Sequence, residues 1–389
     1  MTFQPSDGPS FGQRHRPVLI GLAAIGVLAA VVLAAALLPK SAPSSSPSPS
    51  SIAALPSRSP GSPGSTAPAG GSPAPGDTAS PVPSNSPPPS SVPAGPVSYG
   101  RDGRLTVLVL GSDWRPNLGG ERTDVILVVT IDPQTGRMAT ASIPRDTVYF
   151  PRANAGTSGQ LRVNGLYEVY RSTSLAHDKV DPKALKRFTA DVAAALKIEI
   201  DYYALIRFDG FSELVDKLGG IDVQIKQQIV DDYYRTPSGL RGAYFPVANS
   251  WHLTGNPPCK PYPQKCHNSL AYARSRHGTV GTGYNTDFAR SRRQQELILD
   301  GSHKVVTNGM DALAGLVSAA KGRVYTNLPL TLDAATQLFA LADHATLSPD
   351  DMQVFSPSKW AFVASRDPAY SFELRMPTVR AWIKAHFKS

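Results

Sequence analysis

Five arginine-rich blocks stand between residues 111 and 295: Gly111–Arg115 (GSDWR), Glu121–Asp124 (ERTD), Ile143–Asp146 (IPRD), Tyr272–His277 (YARSRH) and Asp287–Gln295 (DFARSRRQQ). Four of the five also carry an aspartate. Arg274, Arg276, Arg290, Arg292 and Arg293 fall within twenty residues, and like charges brought to contact distance repel by a few kcal/mol at an effective dielectric of about 20. If the fold makes several of them converge, an anion belongs among them. Guanidinium forks beside paired acids suit a phosphate or pyrophosphate held partly through a divalent metal. Solvated surface charge is the alternative for any single Arg-x-Arg.

The elements around the blocks favour convergence. LTVLVLG runs into Asp113, DVILVVTI begins at Asp124, and RMATASI leads to Pro144 and Arg145. Each apolar run has the length and β-branched content of a buried strand, and an open α/β sheet places its site at strand ends. The turn DPQTG closes a hairpin between the strands expected at 124–131 and 137–143. An amphipathic helix is expected over 182–196 and a strand over 202–208, followed by a helix capped by Asp209, stopped by Gly219 and Gly220, and the strand IDVQI. Later helices are expected at 269–276, 287–306, 310–320, 332–342 and 377–387. The predicted product is an α/β fold, a mixed sheet with helices on both faces.

Thr286 reads as the N-cap of the helix that begins at Asp287, and Asp287, Arg290 and Gln294 share one of its faces. A helix N-terminus already attracts phosphate. Arg293 lies about 60° further round and either reaches the site or pairs structurally. Arg207, where strand meets helix, is open to two readings of the same kind: a headgroup contact or a structural ion pair.

Ahead of these blocks, Val18–Leu38 is an uncharged apolar stretch of 21 residues preceded by Arg14, His15 and Arg16. That length crosses a hydrocarbon core of about 30 Å, and the flanking charge keeps residues 1–17 in the cytoplasm and exports the rest. A cleaved signal peptide is the competing reading, with an apolar core of usually about 7 to 15 residues. Residues 39–98 are dominated by Ser, Pro, Gly, Ala and Thr, a composition expected to stay disordered and to act as a tether of about 40 Å as a coil. One domain is expected over 99–389. Its only cysteines, Cys259 and Cys266, favour a disulfide in an exported chain, worth roughly 2.5 kcal/mol in the chain-entropy model; His252 and His267 are nearby, but their spacing matches no common zinc pattern. The net charge of +9 and pI near 9.5 point to anionic lipid, lipid-linked or wall polymers, since an exported domain meets no nucleic acid.

Taken in order, GSDWR, RTD, IPRD, Asn164, FDGFSELVDKLGGIDV, YARSRH and DFARSRRQQ resemble the LytR-CpsA-Psr family of membrane-tethered cell-envelope phosphotransferases, over most of residues 104–300. The resemblance implies a polyprenyl-pyrophosphate-linked glycan as donor and a peptidoglycan sugar hydroxyl as acceptor. It implies Mg²⁺ (or Mn²⁺) on Asp113 and Asp124 with Arg122 beside them, and Arg145, Arg274, Arg276 and Gln294 on pyrophosphate oxygens. Arg162 takes the place where many relatives have Lys. Asp287 and Arg290 would orient the head group and assist transfer, and Asp124 or Asp287 could serve as general base. A lipid-pyrophosphate phosphatase could use the same residues with water as acceptor. A non-enzymatic envelope regulator is the third reading.

Overall fold

A computed structural model describes residues 97–389, apart from 116–119, 155, 236–240, 256–267, 277–286, 321–322, 330–331, 358, 364–370 and 388–389. The expected membrane span, nearly all of the tether, the Cys259–Cys266 loop, His277 and the Thr286 cap lie outside the described residues.

Three strands open the fold, β1 (Leu105–Ser112), β2 (Thr123–Ile131) and β3 (Arg137–Ser142). A single 3₁₀ turn at Val163–Gly165 leads into α1 (Leu166–Tyr170), then α2 (Pro182–Leu196), β4 (Tyr202–Arg207), α3 (Phe208–Lys217) and β5 (Ile221–Ile225). Next come β6 (Ile229–Arg235), β7 (Arg241–Phe245), β8 (Ala248–Leu253) and α4 (Ser269–Arg274). The chain continues through α5 (Asp287–Ala320), β9 (Val324–Thr326), α6 (Leu332–His344), β10 (Thr346–Val354), β11 (Ala361–Val363), β12 (Phe372–Leu374) and α7 (Met376–Phe387).

Six strands form the central sheet in the order β10-β3-β2-β1-β4-β9. β1 runs antiparallel to β2 and parallel to β4, β2 antiparallel to β3, and β3 parallel to β10. Successive side chains of a strand point to opposite faces, and β1 obeys this with apolar residues on both sides. Val107 and Val109 join one core, with Leu214 of α3, Leu297 of α5 and Leu338 of α6. Leu108 and Leu110 join the other, with Phe188 and Val192 of α2 and Ile383 of α7. The expected mixed sheet covered by helices on both faces is therefore the observed one.

Local chemistry explains the elements that match and those that do not. Asp181 caps α2, its carboxylate accepting from the Lys183 and Ala184 amides at 2.9 and 3.2 Å, with Pro182 in the first turn. Asp209 is not a cap: α3 starts a residue earlier with Arg207 at the N-cap position, and Asp209 pairs instead with Arg323 at 2.7 Å. The two helices expected at 287–306 and 310–320 are one helix of 34 residues, because a lone Gly309 costs a helix about 1 kcal/mol without ending it. IDVQI forms the expected strand, but pairs with β8 in a separate two-stranded sheet. β10 (TLSPDDMQV) is polar and contains Pro349, which an edge strand tolerates at the irregularity between Leu347 and Met352.

Candidate active site

The strand directions bring the blocks together. The C-terminal ends of β1, β3 and β4 and the N-terminal end of β2 all lie at one end of the sheet, which is where Asp113, Asp124, Pro144–Arg145 and Arg207 follow or begin their strands. A β-bulge completes the arrangement. Gly111 pairs with Val125 and Ser112 with Thr123, so Asp124 is the extra residue, and a bulge re-aims the side chain it carries. Gly111 is required at the close approach, since a Cβ there would meet the Val125 side chain at 2.7 Å.

Asp124 sits at the centre. Nη1 of Arg145 donates to both carboxylate oxygens at 2.9 Å, and Nδ2 of Asn164 donates to Oδ1 at 3.2 Å. Burial pushes the Asp124 carboxyl up, but Arg145, Arg290 and the two hydrogen bonds outweigh it and hold the group below the usual carboxylate range. Asp113 goes the other way. Its carboxyl is raised by burial and by the charge of Asp124, against the Arg122 N–H, which donates to Oδ1 at 2.8 Å, and the Arg115 and Arg122 charges. An acid pair of this kind is short of positive charge.

Arg145 also donates from Nε to Asp146 at 3.2 Å, and the other oxygen of Asp146 is 3.3 Å from Nη1 of Arg162. Asp146 thus clamps Arg162 beside Arg145, and Ser371 accepts from Arg162 Nε at 3.0 Å. Arg274 closes a further side, its guanidinium 4.5 Å from the Phe208 ring centre and 5.5 Å from that of Tyr234. Burial lowers the Arg274 pKa, Tyr234 and Asp124 oppose this, and the neighbouring Arg115 charge adds to it. Nη1 of Arg274 and Nε of Arg115 are buried donors without a hydrogen-bond acceptor. A buried donor left in this state costs roughly 1–3 kcal/mol, more when charged. Two such guanidinium groups in each other's field specify an anion.

Other block residues hold the frame. Glu121, fully buried, accepts from Arg207 Nε and Nη2 at 2.9 and 2.8 Å and from Ser112 Oγ at 2.6 Å. Arg207 also donates to the Asp178 carbonyl and lies 4.3 Å from the Trp114 ring centre, so of its two readings the structural pair is the observed one. Arg293, buried, donates to the carbonyls of Tyr272 and Ser275, satisfying the end of α4, which is again a structural role. Gln294 donates to the Ala273 carbonyl at 3.0 Å, so its amide nitrogen positions the segment that carries Arg274. The Arg276 amide donates to Asp231 at 2.9 Å, Arg122 has an exposed side chain, and the Asp287 backbone begins α5; the Asp287 side chain and the two cysteines lie outside the described residues. Arg115 and Asp146 belong to the GSDWR and IPRD blocks, and the sequence reading gives neither a role as ligand or clamp. Arg115 carried the signal in its proximity to Asp113; nothing in a linear reading marks Asp146 as the bracket between Arg145 and Arg162.

Fold and site together define a class: an α/β protein with an acid pair and a set of buried arginines gathered at one end of a mixed sheet. The LytR_cpsA_psr family model matches residues 84–356, and the chain belongs to that family. A curated relative from Bacillus anthracis, the polyisoprenyl-teichoic acid–peptidoglycan teichoic acid transferase TagU, is 29% identical over 225 residues, covering 58% of this chain and 60% of the relative. Among solved structures, Bacillus subtilis TagV superposes with a TM-score of 0.52 at 23% identity over 74% of this chain and 98% of that one. Protein gbs0355 from Streptococcus agalactiae superposes at 0.55 with 19% identity over 74% and 88%. At those identities the superpositions establish the fold.

Proposed function

We propose that the protein transfers a glycan phosphate from a polyprenyl-pyrophosphate-linked wall polymer to a sugar hydroxyl of peptidoglycan, from an exported domain tethered by Val18–Leu38. The observation that carries this reading is that Arg115 and Arg274 each bury one guanidinium nitrogen without an acceptor, beside the acid pair Asp113 and Asp124. The named activity of the Bacillus anthracis relative agrees with it.

Arg145, Arg274 and Arg290 would take pyrophosphate oxygens, with Arg162 and Arg276 at the margin. Asp113 and Asp124 fit Mg²⁺, because burial and the Asp124 charge raise the Asp113 carboxyl despite Arg115 and Arg122, and a cation between the two acids would offset both. Among the described residues no third acid or histidine joins them, which suits an ion that keeps waters and binds substrate phosphate. When bound, the ion would neutralise pyrophosphate charge. The acceptor oxygen bonds to the glycan-side phosphorus, the P–O bond to polyprenyl phosphate breaks, and the hydroxyl proton passes to a base. Asp124 is held acidic by Arg145 and Arg290, which weakens it as acceptor of that proton; Asp287 is the other candidate base. Phosphoryl transfer asks mainly for such positioning and charge.

The test is a mass-spectrometric assay with a short polyprenyl-pyrophosphate glycan, a peptidoglycan oligomer and Mg²⁺, with and without EDTA. A metal-dependent phosphodiester adduct is expected. Free glycan phosphate without an adduct would mark a hydrolase, and no donor turnover would overturn the enzymatic reading.

A further inference from the structure

A second basic cluster lies outside the site already described. The loop after β3 and the first turns of α2 enclose a cleft of about 290 Å³ lined by Arg152, Asn154, Lys183, Lys186, Arg187 and Asp191. Its floor is built rather than incidental. Asp191, 3% exposed, accepts from the Ala153 amide at 2.8 Å and from the Tyr170 hydroxyl, and lies 3.8 Å from Arg152 Nε. The Tyr170 ring is flanked by two guanidinium groups, Arg152 at 5.3 Å and Arg187 at 4.2 Å from its centre. Burial and the Asp191 carboxylate push the Tyr170 hydroxyl up to about 12, so it stays a donor to Asp191.

Four cations, Arg152, Lys183, Lys186 and Arg187, line this cleft against the single carboxylate of Asp191. Among the described residues no carboxylate pairs with Lys183, Lys186 or Arg187, and Arg152 Nε is a buried donor without a hydrogen-bond acceptor. Lys183, Lys186 and Arg187 are neighbours at helical spacing, where like charges repel. Lys183 stands in the first turn of α2, the end at which the helix dipole disfavours a cation. An anion in the cleft would relieve both penalties and satisfy Arg152.

The geometry points to a second anion-binding site in this cleft, one that holds a phosphodiester unit of a wall-type glycan phosphate polymer away from the reacting pyrophosphate. Concavity favours a polymer chain over a membrane surface, because the cations line an open cleft instead of spreading over a flat face. This deepens the proposed transfer reaction and rests on it for the identity of the polymer; the phosphate chemistry stands on the cleft alone.

The test titrates the full chain in detergent with a synthetic glycerol-phosphate hexamer and, separately, with phosphatidylglycerol-containing vesicles. Wild type, K183E/K186E, R187Q and R290A are compared. K183E/K186E is expected to weaken one class of hexamer sites at least tenfold and R187Q to weaken the same class. R290A should leave that class intact, and turnover of lipid-linked donor on a short uncharged acceptor should stay within twofold in K183E/K186E. Folding is safeguarded, since a glutamate at 183, in the first turn, suits the helix dipole and the change at 186 separates like charges; the melting temperature should not fall. Unchanged hexamer binding in K183E/K186E overturns the proposal, and so does loss of vesicle binding with hexamer binding intact. If wild type turns over no donor, the reading of the active site fails while the hexamer titration still decides the cleft.

Discussion

Asp124 and Asp113 are 11 residues apart in the chain and are driven in opposite directions by the same neighbourhood. Arg145 and Arg290 hold Asp124 acidic, whereas burial and Asp124 itself hold Asp113 above its ordinary range. Without a bound cation, Asp113 retains its proton to higher pH when folded than when unfolded. Its contribution therefore favours the fold at low pH and turns against it as pH rises through the interval between the two values. Asp113→Asn should raise the metal-free melting temperature at pH 7.5. Mg²⁺ should raise that of wild type and not that of the variant, as differential scanning fluorimetry would read; equal Mg²⁺ shifts would remove Asp113 from the metal site. Arg290→Ala, which takes a positive charge from beside Asp124, should lower kcat at least about 100-fold, in line with the loss of one preorganised donor. The Glu121–Arg207 pair behaves differently, as part of the frame. Glu121→Ala leaves the Arg207 charge buried and unpaired and should cost about 3–5 kcal/mol in urea unfolding, and replacing both residues by Met and Leu should cost less than the single change.

Among the elements, α5 carries the site at its start and an acidic face further along. Glu296 and Asp300, one turn apart, are both pushed up by burial, and Asp300 reaches about 7 with help from Glu296 and Asp222 against Lys226. A raised folded pKa means stability is lost as pH climbs from the unfolded value near 4 to about 7. Asp300→Asn should lessen the loss of thermal stability across that interval and raise stability at pH 8, leaving pH 4 little changed; a variant whose loss between pH 4 and 7 equals that of wild type would refute the assignment. The longer elements were legible in the sequence from their apolar patterns: Leu185, Phe188 and Val192 mark α2 at helical spacing, and unbroken apolar runs mark β1 and β2. The blocks at the strand ends were legible for the same reason, since an apolar run that stops at Asp113 or starts at Asp124 fixes where the charge must stand. The shorter or more polar elements were not. β10 carries its pairing on TLSPDDMQV, whose apolar residues are too few for a period, and β9 has three residues. Which arginines face the anion and which serve the frame was equally hidden, because Arg293 and Arg290 differ only by three positions on one helix. The distinction lies in contacts with Tyr272 and Ser275, which the chain brings back from α4.

At the scale of the whole molecule, the two cores and the six-stranded sheet are assembled from residue 97 onward. Val97 packs in the first core and its amide donates to Gln337 at 3.0 Å, while Ser98 donates its amide to the Tyr202 hydroxyl at 2.8 Å. The role of the apolar segment Val18–Leu38 in the proposed reaction is to hold the domain near a donor that is itself embedded in lipid. A chain beginning at residue 97 should melt cooperatively within a few degrees of the full chain and turn over a short, soluble donor analogue at an unchanged kcat. On donor in vesicles the same truncated chain should fall by at least about tenfold at equal protein concentration, because tethering raises the effective concentration of two partners without adding a contact between them. Cooperative melting with a lowered kcat on the soluble donor would place part of the active site within residues 1–96. Equal rates on vesicles would show that the tether is dispensable for reaching the donor.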